Sequence, residues 1–166
     1  VGGFTEEDSK VKVVDQVVDE VIKSAFADAK PKINSGLFRD KKILLVDDDM
    51  RITFSLSQLL SQKGVSVLMA EHGKSAIEQL EKHRDINLII SDLMMPEMDG
   101  YGLIHYIRKQ STYTEIPVIA LSAKVVQGEE ARCLDAGFNA FLSKPVDTDV
   151  LLERVHYWLK VAQKGA

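Results

Sequence analysis

Asp47, Asp48 and Asp49 stand together in VDDD, Asp92 opens DLMMPEMDG, Ser122 lies in ALSAK and Lys144 in LSKP. Gathered in one place, these side chains could do one kind of chemistry. Clustered carboxylates repel and raise each other's pKa unless a cation sits among them. Oxygen donors suit a hard divalent ion, Mg²⁺ first with Mn²⁺ as a substitute, and the chain offers no Cys/His set for zinc. The Lys144 ammonium suits a phosphoryl oxygen as a point charge, and the Ser122 hydroxyl is a neutral donor. Such a cell would hold a transferred phosphoryl group, with catalysis by positioning and charge neutralisation. Asp92 would then be the nucleophile, because carboxylates form covalent aspartyl phosphates.

These residues are far apart in sequence, so only a fold that converges their supporting elements can gather them. Leu88, Ile89 and Ile90 form an apolar run that reaches Asp92 and breaks at Pro96 and Asp99–Gly100. A continuous apolar run bounded by turn formers reads as a strand buried on both faces. The same pattern gives strands over Lys42 to Asp47, Val65 to Ala70, Ile116 to Ser122 and Asn139 to Ser143. Between them lie helical patterns. Ile52 to Lys63 carries Phe54, Leu56, Leu59 and Leu60 and stops at Gly64, and Lys74 to His83 turns Ala76, Ile77 and Leu80 inward. Tyr101 to Lys109 carries Leu103, Ile104 and Ile107, Gln127 to Ala136 ends at Gly137, and Asp147 caps a last helix through Val161. Strands alternating with helices predict an α/β fold, a parallel sheet wrapped on both faces. Right-handed crossovers narrow it to a few doubly wound orders, among them the flavodoxin-like five-stranded sheet of order 2-1-3-4-5, the one expected here. All the strand ends named above then share one edge, where ligands bind in such sheets.

The chain has 166 residues, 45% apolar and 28% charged, enough for one full domain with extra length. A net charge of −4 argues against nucleic acid as a partner, since phosphate binding needs a basic face. No apolar stretch approaches a membrane span and no secretory signal is visible, so no membrane contact is expected. A single cysteine, Cys133, permits no internal disulfide and suits a reducing, cytoplasmic location. The start at Val1 rather than Met is expected of a processed or excised fragment.

Residues 1–40 read as an extra N-terminal amphipathic helix and linker, and 41–166 as the main domain. Thr5 to Asp8 resembles a capping box, and Val11, Val14, Val18, Val21, Ile22, Ala25 and Ala29 then recur on one face. Pro31 ends the pattern and Asn34-Ser35-Gly36 reads as linker. Such a helix packs on its own domain, pairs in a dimer or between domains, or carries no fixed structure.

The four motifs quoted at the outset, in order and on the expected elements, resemble the receiver domain of two-component signalling over roughly Lys41 to Leu159. The resemblance implies that Asp92 is the phosphoacceptor. It implies metal ligation by Asp48 directly, by Asp47 through water, and by Asp92 and the backbone carbonyl of Met94. Ser122 would be the switch hydroxyl, Phe141 the switch aromatic and Lys144 the phosphoryl-binding lysine, with a cis Lys144–Pro145 peptide. Met94 and Lys124, two residues past Asp92 and Ser122, would tune hydrolysis. Partners would be a histidine kinase or histidine phosphotransfer domain.

Each residue also has an ordinary structural use. Asp47 and Asp48 could cap a helix, and Asp49 is the expected cap; Lys144 could be solvated, Ser122 a plain strand-end hydroxyl and Phe141 core. Cys133 and the four histidines read as structural or exposed. The segment SAKVVQGEEARCLDAGFNAFLSKPVD resembles the receiver of a hybrid sensor histidine kinase, and with a last helix expected to end shortly before Ala166, no DNA-binding module is expected. A stand-alone response regulator and a phosphorylation-independent docking module are the alternatives. A flavin or nucleotide binder of the same fold is disfavoured, because its phosphate would face Asp47 to Asp49.

Overall fold

A computed structural model of the chain describes residues 35–124 and 126–164, all within a compact unit spanning Ser35–Ala166. The expected N-terminal helix lies outside the described residues. Five parallel strands form one sheet: β1 (Lys42–Val46), β2 (Ser66–Ala70), β3 (Leu88–Asp92), β4 (Val118–Ser122) and β5 (Ala140–Ser143). Their order is β2-β1-β3-β4-β5, the doubly wound arrangement expected from the alternation. Every residue of β3 and β4 is buried, which is why both read as unbroken apolar runs rather than alternating ones. The outer strands β2 and β5 are only partly covered. In register, Val46 pairs with Ser91 and Asp92 with Leu121, while Ser122 pairs with Ser143. The residues that follow β1, β3 and β5 therefore emerge at one edge.

The helices are α1 (Met50–Gln62), α2 (Gly73–Lys82), α3 (Gly100–Lys109), α4 (Glu129–Ala136) and α5 (Thr148–Lys164). The Asp49 carboxylate caps α1 and Asp99 caps α3, each accepting a backbone N–H from the first turn. Asp147 does the same for α5, accepting from Asp149 at 3.0 Å. Gly64 and Gly137 close α1 and α4 at φ of +96° and +116°, conformations that a side chain would strain. The core face of α3 is Leu103, Ile104 and Ile107, and that of α5 is Leu151, Leu152, Val155 and Leu159. Each such side chain contributes about 1.5–3 kcal/mol of burial.

Three expectations need correction. Phe54 is 62% exposed rather than core. The buried stripe of α1 is Thr53, Leu56 and Leu60, and Phe54 sits one residue off it. Thr53 is tolerated inside because its hydroxyl donates to the backbone carbonyls of Asp49 and Met50. Within the stretch expected as linker, Ser35–Phe38 forms a single helical turn whose Phe38 ring is fully buried against His156 of α5. Burying an aromatic ring outweighs the turn-forming preference of Ser35-Gly36. The last helix runs to Lys164, past the expected end at Val161.

Candidate phosphoryl-transfer site

Asp47 immediately follows β1, anchored by its backbone N–H donating to Ala70 at 3.1 Å. Its carboxylate is 3% exposed and doubly engaged. Oδ1 accepts the Asp49 N–H at 2.8 Å, and Oδ2 accepts from the Lys144 ammonium at 2.8 Å. Asp92 closes β3, also buried. Its Oδ2 lies 3.3 Å from the same ammonium, and its Oδ1 accepts a long 3.4 Å bond from the Met94 N–H. Asp48 points outward and is exposed. One carboxylate oxygen from each of Asp47, Asp48 and Asp92 lies within 4.8 Å of the others. The donor set is oxygen throughout, with two buried members and one facing solvent, and this fits a hard divalent cation.

The electrostatics follow from burial and charge. Desolvation, then the charge of Asp47, push the Asp92 carboxyl above its usual range, while Lys144 opposes them. Burial alone would lower the Lys144 ammonium. Its hydrogen bond to Asp47 and the charges of Asp47 and Asp92 outweigh that and raise it. Asp49 is set apart: its carboxylate pairs with Arg51, which holds it below the usual range. It is the helix cap and not a member of the cluster.

Lys144 is placed by the sheet, its backbone N–H donating to Ser122 O at 2.7 Å, and the Lys144–Pro145 peptide is cis. A groove of about 400 Å³ beside it has an apolar floor of Ile52, Leu56, Pro145 and Val146, with Asp49, Arg51, Ser55 and Thr148 also lining it. The other expected members are placed differently. The Ser122 hydroxyl is buried and held in a turn, donating to Lys124 O at 2.9 Å and accepting the Lys124 N–H at 3.2 Å. It does not bond the carboxylates. Phe141 is half-buried and packs on the core. Met94 and Lys124 expose their side chains at the rim.

Gly100 is the tightest backbone contact of the site. A Cβ there would lie 2.5 Å from Asp92 O and 2.9 Å from Leu93 Cα, so α3 docks on the end of β3 only with glycine at its head. Sequence reading took Gly100 as a turn former. It missed His72, whose Nδ1 accepts the Ser75 N–H and caps α2, because histidine is seldom read as a cap. It also missed Arg108, which donates to Gly137, Thr114, Ile116 and Asn139 and fastens α3 to the far edge of the sheet. No pattern in the sequence marks that hub.

A family model, the response regulator receiver domain, matches residues 43–156. The chain belongs to this family. Among curated relatives of the receiver, the chemotaxis protein CheY1 of Helicobacter pylori is 36% identical over 115 residues, 69% of this chain and 93% of that protein. A putative response regulator from Chloroflexus aurantiacus superposes with a TM-score of 0.69 at 29% identity, covering 72% of this chain and 98% of the other. The signal receiver domain of a signal transduction histidine kinase from Syntrophus aciditrophicus gives 0.67 at 33% identity, covering 72% and 90%. The receiver fold and its place in two-component signalling are thus common ground. Among the described residues no helix is long and apolar enough to cross a membrane.

Proposed function

We propose that this receiver takes a phosphoryl group from a phosphohistidine of a partner kinase or phosphotransfer domain onto Asp92. The observation that carries the reading is the Lys144 ammonium shared between the buried carboxylates of Asp47 and Asp92. An Asp92 oxygen attacks phosphorus, the P–N bond to the donor imidazole breaks, and the imidazole keeps the electron pair and gains a proton from water. Lys144 supports the charge on the phosphoryl oxygens. Asp48 and Asp92 would hold Mg²⁺ with the Met94 carbonyl, and Asp47 would act through water, its own oxygens already bonded to Asp49 and Lys144. Mg²⁺, when bound, supplies positive charge to the same oxygens and relieves the repulsion among the aspartates. The groove beside Lys144, with its apolar residues Ile52, Leu56, Pro145 and Val146, would give the donor protein a surface to seat on.

Ser122 then leaves its turn with Lys124 to bond the phosphoryl group, and Phe141 follows it inward. This biases the face made by α4, β5 and α5, a two-state switch. We take residues 41–166 as the receiver, with the Ser35–Phe38 turn packed onto it through Phe38, and 1–34 as a preceding segment, in a cytoplasmic protein. Likeness to the Syntrophus kinase receiver supports a hybrid sensor kinase as the parent. The likeness to CheY1, matched over 93% of its length, favours a stand-alone regulator as the second reading.

The test is intact mass after incubation with Mg²⁺ and acetyl phosphate, for the native chain and Asp92→Asn. A gain of one phosphoryl group in the native chain alone is expected. Equal gain in both would move the acceptor elsewhere.

A further inference from the structure

Helix α4 is thinly anchored. It has eight residues, buries only Cys133, and begins at Gly128, at φ +83° with no side-chain cap. What holds its first turn is a residue of α3. The Tyr101 hydroxyl donates to Glu129 Oε1 at 3.0 Å and lies 3.3 Å from Cys133 Sγ. A carboxylate only accepts, so the tyrosine proton is committed to Glu129 and its oxygen is left to accept the thiol proton. Burial lifts both the Tyr101 hydroxyl and the Cys133 thiol, so each keeps its proton at neutral pH. The Arg132 guanidinium lies 4.9 Å over the ring, and Phe138 meets it edge-on. Glu129, Arg132 and Cys133, at helical spacing, are thus all read by one side chain.

The other end of Tyr101 has no slack. It follows Gly100, whose N–H donates to Leu93 O at 3.0 Å and where an added Cβ would lie 2.5 Å from the Asp92 carbonyl oxygen. The stretch from Ser122 to Glu129 spans only the β4–α4 connection. The Ser122 hydroxyl bonded to Lys124 and the Glu129 carboxylate bonded to Tyr101 thus lie at the two ends of one short connection.

We propose that Tyr101 is a positioning residue that latches α4 in the arrangement seen here, with Ser122 held by Lys124, and so sets the cost of the phosphoryl-driven switch. The proposal rests on Asp92 as phosphoacceptor. A bond made in only one of two states favours that state, so removing it favours the other.

The test is calorimetric titration of the full chain with beryllium fluoride, a phosphoryl mimic, in Mg²⁺. Tyr101→Phe keeps the ring and drops both bonds, so it should bind the mimic about threefold to tenfold more tightly than native. Its melting temperature without the mimic should fall. Tighter binding with lower stability is the signature, because mere damage would weaken both. Glu129→Ala should act in the same direction, and the double variant should add little to either single one. Native binding with equal or weaker binding by Tyr101→Phe would overturn the latch, as would independent, additive effects. Failure of the native chain to bind the mimic would instead remove Asp92 as acceptor, and the latch with it.

Discussion

The Lys144 ammonium lies 2.8 Å from Asp47 Oδ2, joining two residues 97 apart in sequence across the C-terminal edge of the sheet. Both side chains are withdrawn from water, at 14% and 3% exposure. Replacing Lys144 by methionine would leave Asp47 and Asp92 buried with no cation. Such a loss costs about 3 kcal/mol, and urea unfolding without Mg²⁺ should show it. Acetyl phosphate labelling of this variant should fall steeply.

Asp92 contributes with the opposite sign. Its folded pKa lies above the unfolded one, through desolvation first and Asp47 second. The ionised group therefore costs stability at neutral pH, and that cost fades as pH falls through the raised pKa. Asp92→Asn should melt above the native chain at pH 7 without Mg²⁺, with the gap closing in acid. Saturating Mg²⁺ should stabilise the native chain by about 2.7 kcal/mol at a hundredfold excess over Kd, and the variant by less. A variant that melts lower at pH 7 would contradict this. Lys144 is raised as well, so its contribution is present below the unfolded value of 10.5 and lost as pH rises through the folded pKa.

Gly100→Ala should destabilise by about 1–3 kcal/mol, because the new methyl meets backbone that cannot step aside. Labelling of Asp92 should slow as well, since relief of the clash moves the end of β3. Thermal melts and labelling rates read the two effects separately.

Met94 and Lys124 stand exposed at the rim of the site, where water must approach. Replacing both, Met94→Asn with Lys124→Ser, should shorten the phosphoryl lifetime about tenfold, a barrier change of about 1.4 kcal/mol. Decay of the labelled mass over time measures it, and an unchanged lifetime would remove the role.

The sheet was legible because β3 and β4, buried on both faces, leave a period-free apolar signature, with Asp92 and Ser122 at their ends and Lys144 just past the short β5. That Asp47, Asp48, Asp92, Ser122 and Lys144 share one edge was legible from parallel strands, all of which end there. Phe54 was misplaced because several apolar residues in one helix allow more than one stripe, and packing of Thr53 decides between them. The Ser122 hydroxyl turned toward Lys124, and the Tyr101 contacts with α4, depend on side-chain rotamers and helix docking, which spacing does not encode. Gly100 showed as a turn, yet its closeness to the Asp92 carbonyl is a tertiary fact.

The acceptor role of Asp92 is tested most directly by borohydride trapping after treatment with Mg²⁺ and acetyl phosphate, followed by peptide mass mapping. Hydride displaces phosphate from an acyl phosphate and reduces that carboxyl to an alcohol. Homoserine is expected in place of Asp92, dependent on Mg²⁺ and absent when acetyl phosphate is omitted. Homoserine at another aspartate, with Asp92 intact, would contradict it.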